Sequence, residues 1–367
     1  MQNHFDILPL KEWLPASSLP LVISGPCSAE SRDQVLSTAR ELSYIPQVKV
    51  FRSGIWKPRT RPSKFEGVGV EGLKWLQEVQ SETGLMTTVE VAKASHIEEA
   101  LKYGVDILWI GARTVVNPFS VQELADVLKG VDIPVLVKNP LNPDVKLWLG
   151  ALERLNGAGI RKLIAIHRGF YYYKHSIYRN QPMWEIPIDL QRQVPGLPIF
   201  CDPSHICGRR DLLQGISQKA LDLGMEGLMI ESHIHPDEAL TDAEQQLSPT
   251  ELTLLLQNLV VRNSSGDQAF ESHLEKLRHE IDKMDAELID ILSKRMHIVE
   301  EIGRYKRNNN ITILQIRRWS EIIYDRLNLG EKVGLNKDFL LKMLQLVHKE
   351  SIRKQEDIMG LPEEEEN

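Results

Sequence analysis

Residues 20–260 repeat one pattern eight times, and this repeat constrains the fold more than any other feature of the chain. Each unit has a short apolar run, then a polar or charged residue, then an amphipathic stretch with helical spacing. Continuous apolar runs are typical of strands covered on both faces. Eight such units over about 240 residues predict a (β/α)8 TIM barrel. A doubly wound open sheet is the alternative, because strand order cannot be read from sequence. The predicted strands are 21–24, 48–51, 86–89, 107–110, 135–137, 163–166, 199–201 and 228–230.

The pattern changes after residue 261. Residues 262–270 begin with polar turn-formers and predict a linker. Apolar residues then recur at threes and fours from Leu274 to Ile302, which predicts one helix about 35 residues or ~50 Å long. Two shorter helices are predicted near 316–328 and 336–356, followed by an acidic tail. We therefore predict a barrel domain over 1–261 and an all-α three-helix domain over 271–367.

Composition excludes several classes of function. The net charge of −7 gives no electrostatic footprint for nucleic acid, and no apolar run is long enough to span a bilayer. The N-terminus shows no signal-peptide pattern, and three cysteines fit a reducing compartment better than a disulfide framework. We expect a cytoplasmic protein that binds neither nucleic acid nor a membrane.

Reactive or charged residues follow all eight apolar runs, at the face where barrel enzymes carry their active sites. Any one of them alone is the ordinary polar end of a strand, but their joint occurrence favours a functional site. Six are cations, and converging cations would repel each other unless an anionic ligand such as a phosphate or carboxylate filled the site. These cations are Arg52, Lys57, Arg59, Arg113, Lys138 and Arg168.

A second subset offers one thiol, one imidazole and two carboxylates: Cys27, His205, Glu231 and Asp242. This mixture suits a divalent transition metal that keeps open positions for substrate. For Cys27 alone a buried small apolar residue is the commoner interpretation. His233 and His235 are rival ligands that the sequence leaves open.

These motifs, in this order, resemble type I 3-deoxy-D-arabino-heptulosonate 7-phosphate (DAHP) synthase in its shorter β subclass, over roughly residues 20–260. The most specific segment is Lys57-Pro58-Arg59-Thr60, five residues after Arg52. The sister enzyme, 3-deoxy-octulosonate 8-phosphate synthase, shares the barrel but is expected to lack this segment, and it ranks second. Arg61 stands where the family usually has Ser or Thr.

The resemblance implies condensation of phosphoenolpyruvate with erythrose 4-phosphate. It implies one divalent metal ion per barrel, with Mn2+ favoured and Zn2+, Fe2+ or Co2+ as alternatives, held by Cys27, His205, Glu231 and Asp242. Glu90 would position or deprotonate the attacking water, or pair with the cations. Erythrose 4-phosphate would be held by Lys57, Pro58, Arg59 and Thr60. Phosphoenolpyruvate would be held by Arg52, Lys57, Gly111, Ala112, Arg113, Lys138 and Arg168.

The predicted long helix carries cations at Arg278, Arg295 and Lys306, spaced by 17 and 11 residues and so on nearly the same side. A dimerising helical hairpin is the plain alternative for this region. With Arg318, Ser351 and Gln355 added, the spacing resembles the all-helical chorismate mutase class over about 90 residues. Trp319 stands where an acidic residue is common, and Gln315 where Asp is usual.

This second resemblance implies rearrangement of chorismate to prephenate without a cofactor. The six residues Arg278, Arg295, Lys306, Arg318, Ser351 and Gln355 would bind chorismate, with Lys306 and Gln355 acting on its ether oxygen. A homodimer or higher oligomer would form through the helical domain, and prephenate or chorismate would feed back on the synthase. Two alternatives stay open: a non-catalytic helical module beside the synthase, and an anion-binding scaffold without activity.

Overall fold

The computed structural model of the chain describes residues 5–14, 20–57, 65–262, 267–314 and 316–360; the side chains at 269 and 316–318 are not described. The chain divides into two units, Met1–Ser264 and Ser265–Asn367. The limits of the predicted linker stay a prediction, because residues 263–266 lie outside the described residues.

Eight parallel strands form a closed ring in the first unit, in the order in which they occur along the chain. The ring closes because β1 pairs with both β2 and β8, for example Ser24 with Phe51 and with Ile230. This closure confirms the predicted barrel and excludes the open sheet. The strands are β1 (Leu21–Gly25), β2 (Val48–Arg52), β3 (Met86–Val91), β4 (Ile107–Ile110), β5 (Val135–Lys138), β6 (Leu163–His167), β7 (Ile199–Cys201) and β8 (Gly227–Glu231).

Side chains fill the barrel interior, which explains why the strands read as continuous apolar runs. Alternate residues of each strand point inward, as Ile164 and Ile166 do in β6, while Leu163 and Ala165 pack in the larger outer cluster. Leu10 and Leu14, from the segment before β1, pack in the same inner cluster. The barrel is therefore a packed core whose site lies at its rim.

Ten helices surround the strands in the described part of the first unit, and several begin at capping residues. Ser31 accepts a hydrogen bond from the backbone of Gln34, and Ser248 and Glu251 form a reciprocal capping box before α10. These helices are α1 (Arg32–Ser43), α2 (Glu71–Thr83), α3 (Ala94–Lys102), α4 (Ala112–Val115), α5 (Pro118–Leu128), α6 (Val145–Gly157), α7 (Glu185–Gln193), α8 (Pro203–Cys207), α9 (Leu213–Asp222) and α10 (Pro249–Gln257).

The described part of the second unit contains three helices, as predicted: α11 (Gln268–Asn308), α12 (Ile316–Lys332) and α13 (Lys337–Met359). At 41 residues, α11 is longer than expected because Asp267 caps its start by accepting from the Phe270 backbone at 2.8 Å. Helix α13 packs against both α11 and α12. Its buried side chains include Ser351 and Gln355, two of the residues predicted to bind chorismate.

Among the described residues, no helix combines the length and the apolar character that crossing a bilayer requires.

Candidate functional site

Three of the four predicted metal ligands come together at the rim of the barrel. One ligand atom from each of Cys27, Glu231 and Asp242 lies within 4.8 Å of the other two. The Cys27 thiol donates to Asp242 Oδ2 at 3.3 Å. Glu231 ends β8, so its carboxylate reaches a residue just after the adjacent strand β1. A thiolate with two carboxylates is a donor set that suits Mn2+, Fe2+ or Zn2+.

His205, the fourth predicted ligand, lies beside this cluster. Its Nε2 is 3.8 Å from Glu231 Oε1, and its Nδ1 is 2.8 Å from Asp202 Oδ2. Because a carboxylate only accepts, Nδ1 carries the hydrogen and Nε2 presents its lone pair towards Glu231. Burial lowers the pKa of His205, which favours this neutral form. A carboxylate behind a histidine is the usual arrangement at metal sites.

The charge states of the cluster follow from its burial. Burial raises the pKa of the Cys27 thiol to about 11, and Glu231 adds to the increase. Burial also opposes the charge on Glu231, but the Arg52 guanidinium paired with it, with Lys57 nearby, holds the pKa of that carboxyl below its ordinary value. The cluster therefore combines anionic carboxylates with a thiol whose proton a metal ion would displace.

The two rival histidines are placed elsewhere. His233 is buried with Nε2 3.6 Å from Glu30 Oε2, and its Nδ1 accepts from the backbone of His235 at 2.9 Å. The His235 side chain is exposed. Neither residue belongs to the group within 4.8 Å.

Two predicted cations are held in buried ion pairs above an aromatic floor. Arg52 Nη1 donates to Glu231 Oε1 at 2.6 Å, and Lys138 Nζ donates to Asp202 Oδ2 at 2.7 Å. Both cations lie over the buried Trp109 ring of β4, at 4.8 and 5.9 Å from its centroid. An apolar wall with charges at its edge strengthens electrostatic interactions with a bound anion.

Lys57 links the cations to the candidate metal site, because its Nζ donates to Cys27 Sγ at 3.1 Å. A Cβ on Gly54 would lie 2.4 Å from Lys57 Cε and 2.5 Å from the Cys27 carbonyl oxygen. Only glycine at position 54 therefore lets the lysine lie across the chain towards the thiol.

Arg168 lies near two other cations at the same rim. Its Nη1 donates to Asn180 Oδ1 at 2.9 Å. Burial lowers the pKa of its guanidinium to about 10, with Arg179 and Arg113 lowering it further and Asp202 opposing them. Cations kept this close together favour a bound anion.

Glu90 lies against the turn that follows β4. A Cβ on Gly111 would lie 2.0 Å from Glu90 Oε1, so glycine gives the carboxylate its room. Gly111 and the buried Ala112 begin α4, which also carries Arg113. The residues predicted after β3 and β4 therefore adjoin one another. Pro58, Arg59 and Thr60, together with Arg61, lie outside the described residues.

Sequence reasoning missed several polar residues that hold the site together. Arg179 donates to Asp242 Oδ1 at 3.1 Å and to Gln245 Oε1 at 2.7 Å. Gln245 in turn donates to Glu231 Oε2 at 2.6 Å. Gln246 Oε1 accepts from the Cys27 backbone at 2.9 Å. Arg179 gives no sequence signal, while the only signal for the two glutamines is their position three and four residues after Asp242.

The second unit brings together part of its predicted set. Arg295 Nη1 donates to Ser351 Oγ at 2.7 Å, and Lys306 Nζ donates to the Ile313 carbonyl at 2.5 Å. Gln355 is buried, its Nε2 donates to the Ser351 carbonyl at 3.2 Å, and its Oε1 has no partner among the described residues. Burial lowers the pKa of both Arg295 and Lys306.

The remaining predicted residues of this unit lie apart or outside the description. Arg278 is exposed and donates to Glu275 Oε1 at 3.3 Å on its own helix. The Arg318 side chain and Gln315 lie outside the described residues. Trp319 stacks on His348 of α13, with ring centroids 3.7 Å apart and an interplanar angle of 11°.

Comparison with protein families divides the chain in the same way. Residues 17–263 match the DAHP synthetase I family, and residues 277–356 match chorismate mutase type II.

Individual relatives match about two thirds of the chain. A phospho-2-dehydro-3-deoxyheptonate aldolase of Thermotoga maritima is 34% identical over 226 residues, which are 62% of this chain and 64% of that relative. A 2-dehydro-3-deoxyphosphooctonate aldolase of Syntrophobacter fumaroxidans is 29% identical over 277 residues, covering 67% of this chain and 90% of that protein. A crystal structure of the T. maritima DAHP synthase superposes with a TM-score of 0.58 at 32% identity, covering 65% of this chain and 66% of that one. The chain thus spans a little under two thirds of the length of its T. maritima relative.

Proposed function

Because the chain belongs to the DAHP synthetase I family and continues into a chorismate mutase type II domain, we propose that it is a bifunctional enzyme of aromatic biosynthesis. The barrel condenses phosphoenolpyruvate with erythrose 4-phosphate, and the helical domain rearranges chorismate to prephenate. The observation that carries the first activity is the cluster of Cys27, Glu231 and Asp242 beside buried cations.

The barrel cluster holds one divalent metal ion through Cys27, Glu231, Asp242 and His205, with Mn2+ the favoured ion and Zn2+, Fe2+ or Co2+ as alternatives. The thiol, carboxylate and imidazole donors fit such an ion. When bound, it supplies a Lewis acid that polarises the aldehyde. Asp202 orients His205, and Arg179 orients Asp242.

The cations of the rim hold phosphoenolpyruvate. Arg52 and Lys138 stand over Trp109, and Arg168 lies near Arg113, so carboxylate and phosphate groups find donors from several strands. Gly111 and Ala112 would bring backbone close to the ligand. Lys57, with Pro58, Arg59 and Thr60, binds the aldose phosphate. Holding both anions side by side supplies roughly 7–11 kcal/mol through orientation.

The reaction forms one carbon–carbon bond and releases phosphate. The enol carbon of phosphoenolpyruvate attacks the aldehyde carbon, the aldehyde oxygen gains a proton, and the cationic carbon left behind is captured by water. Loss of inorganic phosphate then gives the ketone. Glu90 stands next to Gly111 and is the carboxylate placed to take the proton of that water, or to pair with the neighbouring cations.

Synthesis of the eight-carbon product is the second candidate, since relatives named 2-dehydro-3-deoxyphosphooctonate aldolase match at 26–29% identity. That product requires a five-carbon aldose phosphate. The Lys57-Pro58-Arg59-Thr60 segment and the higher identity of the T. maritima relative favour the four-carbon substrate.

The helical domain acts by binding and electrostatics alone. Arg278, Arg295 and Arg318 bind the two carboxylates of chorismate in its compact conformer, and Ser351 holds Arg295 in place. Lys306 and Gln355 stabilise the negative charge that develops on the ether oxygen as the carbon–oxygen bond breaks and the carbon–carbon bond forms. The Gln355 amide nitrogen, which donates to the Ser351 carbonyl at 3.2 Å, is the atom that can donate to that oxygen.

Dimerisation through α11 completes this domain. Five of its apolar residues are 44–67% exposed, and in proteins most of the stability of a helix comes from packing of its apolar face. They are Leu277, Ile281, Met284, Leu288 and Ile289. A second copy of the chain covers them.

The mutase domain also regulates the barrel: prephenate or chorismate bound there lowers synthase activity. Fusion of an early enzyme to one that binds a later metabolite motivates this. Such regulation requires that the ligand bind one of two states of the chain more tightly.

The deciding experiment assays the purified full chain in parallel reactions. One contains phosphoenolpyruvate with erythrose 4-phosphate, with and without a chelator; one substitutes a five-carbon aldose phosphate; one contains chorismate. We expect chelator-sensitive phosphate release with the four-carbon aldehyde, and chelator-insensitive loss of chorismate. Absence of phosphate release with either aldehyde after metal reloading would reject the synthase. If the chorismate concentration does not fall, the mutase is rejected and the helical domain is a non-catalytic module beside the synthase.

A further inference from the structure

The stacked pair of Trp319 and His348 lies beside the residues proposed to bind chorismate, but the proposed mutase reaction does not use it. His348 precedes Ser351 by three residues and Gln355 by seven on α13, so the three side chains share one helix face. Ser351 accepts from Arg295 on α11, which fixes that face towards the cations of α11. The imidazole therefore stands one turn from groups proposed to bind substrate.

The stack holds the imidazole in one orientation. With centroids 3.7 Å apart and planes 11° from parallel, the indole covers one face of the ring. The ring nitrogens then lie at an edge, where they can donate or accept within the imidazole plane. A side chain at 348 fixed in this way loses less freedom when it binds a ligand.

Charged groups face His348 from two directions. On α11, Arg295 and Lys306 add to the effect of burial and lower the pKa of the imidazole below 6.5. From α12, the described contact with His348 is the uncharged Trp319. Both residues line a cavity of about 730 Å3 together with four charged residues of α13. Those four are Lys349, Glu350, Arg353 and Glu356, of which Glu350 and Arg353 pair at 2.6 Å.

We propose that His348, held by Trp319, is a further substrate-binding residue of the mutase site and takes up a proton when the dicarboxylate binds. This rests on the proposed mutase function. Two carboxylates would offset the positive field of Arg295 and Lys306, and the imidazolium would then donate a charge-assisted hydrogen bond.

The proposal fixes the sign of a pH effect. The free imidazole has a pKa below 6.5, and the bound imidazole has a higher one. Binding therefore takes up a proton between these two values, and affinity for the dicarboxylate falls as pH rises through that interval. The dissociation constant can rise by at most about tenfold per pH unit for one proton.

The test measures proton uptake on the full chain with prephenate, the product, as the probe. Calorimetric titrations at the same pH in two buffers of different protonation enthalpy give the number of protons taken up. His348→Phe keeps an aromatic ring for the stack but has no nitrogen. We expect proton uptake to disappear, KM for chorismate to rise roughly 3- to 10-fold, and kcat to change less. His297→Phe is the control, since this α11 histidine has a side chain 75% exposed.

A second variant protects the test against misfolding. His348→Gln is compatible with a helix and cannot take up a proton, and thermal melting reports whether either variant is folded. A folded variant that keeps the proton uptake and the pH dependence of the wild type overturns the proposal. If wild-type chain turns over chorismate but binds prephenate without proton uptake, the role of His348 fails and the mutase stands. If wild type neither turns over chorismate nor binds prephenate, the mutase itself fails.

Discussion

Asp202 links the buried cations to the candidate metal site, since its carboxylate accepts hydrogen bonds from both Lys138 and His205. Burial opposes its charge, but the hydrogen bond from His205 and the ammonium group of Lys138 outweigh this and hold its pKa well below the ordinary value. A carboxyl whose pKa is lowered by folding stabilises the fold above its unfolded pKa of about 4, and this stabilisation is lost as pH falls through the folded pKa.

We therefore predict that Asp202→Asn destabilises the metal-free barrel at pH 7 by about 3–5 kcal/mol, because it leaves Lys138 buried without a counterion. The difference from wild type should shrink below about pH 4. Urea denaturation followed by tryptophan fluorescence at several pH values measures it. Asp132→Asn, which removes an exposed partner of Lys162, should leave the midpoint unchanged. Equal effects of the two substitutions would contradict the prediction.

Cys27 is the one thiol of the proposed metal site, so we predict that Cys27→Ala abolishes both metal retention and synthase turnover. Metal content after dialysis and phosphate release with both substrates report the two effects. Cys201→Ala removes another buried thiol, in β7, and should retain both properties. Full synthase activity in metal-loaded Cys27→Ala protein would remove this residue from the assignment.

Arg179 touches the cluster through Asp242, a non-glycine residue with a left-handed backbone at φ 51°. The arginine helps hold that strained position, and loss of such an outer partner commonly weakens metal binding by about 10- to 100-fold. We predict a decrease of this size in Mn2+ affinity for Arg179→Met, measured by titration of the metal-free chain. The same change at the exposed Arg192 should have no effect. An unaltered Mn2+ affinity in the first variant would show that Asp242 needs no such support.

The strands could be predicted because a sheet covered on both faces demands continuous apolar residues. All eight predicted runs lie within or coincide with strands, and differences amount to one or two residues at the ends. The position of helix α7 was not predicted, because it follows a long polar and aromatic segment without clear periodicity. The short helices α4 and α8 are set by single turns after strands, which local pattern does not specify.

Site residues were predictable where the barrel fixes their position and not where loops fold back. Cys27, Glu231 and Lys138 lie just beyond or at the ends of strands, so the fold alone brings them to one rim. Arg179 lies in the loop between β6 and α7, where an isolated bridge between Phe170 and Gln181 folds the chain back. The sequence pattern does not predict where such a loop packs against the barrel, and so it does not predict where Arg179 lies.

Helix α11 exposes many large apolar side chains that no other described residue covers. Ile281 and Met284 lie on its apolar face with exposures of 57% and 66%. We predict that replacing both with Glu turns a dimeric or larger assembly into monomers, because buried carboxylates would have no partner at the interface. Sedimentation equilibrium measures the mass. Lys283→Glu makes the same change in net charge on another side of the helix and should leave the mass unaltered. A wild-type chain that is already monomeric would contradict the proposed dimer.

At the scale of the whole molecule, we predict that a ligand bound to the mutase domain changes the activity of the synthase. Prephenate at concentrations that saturate the mutase should lower the rate of phosphate release by the barrel. Arg295→Ala should weaken both chorismate turnover and this inhibition, since Arg295 is proposed to bind the shared ligand. Initial rates of the synthase with increasing prephenate test it in both proteins. Unchanged synthase rates in wild type at saturating prephenate would reject the regulation.

The proposed metal site brings together residues that are far apart along the chain and are therefore synthesised at different times. The hydrogen bond between Cys27 and Asp242 spans 215 positions of the chain. At about 5–20 residues per second, a ribosome needs roughly 10–40 s to make that interval. For that time the thiol of each new chain exists without the carboxylates that will enclose it. Binding of the proposed metal ion must therefore follow synthesis of the last strand, and until then the Cys27 thiol of each new chain lacks these carboxylates.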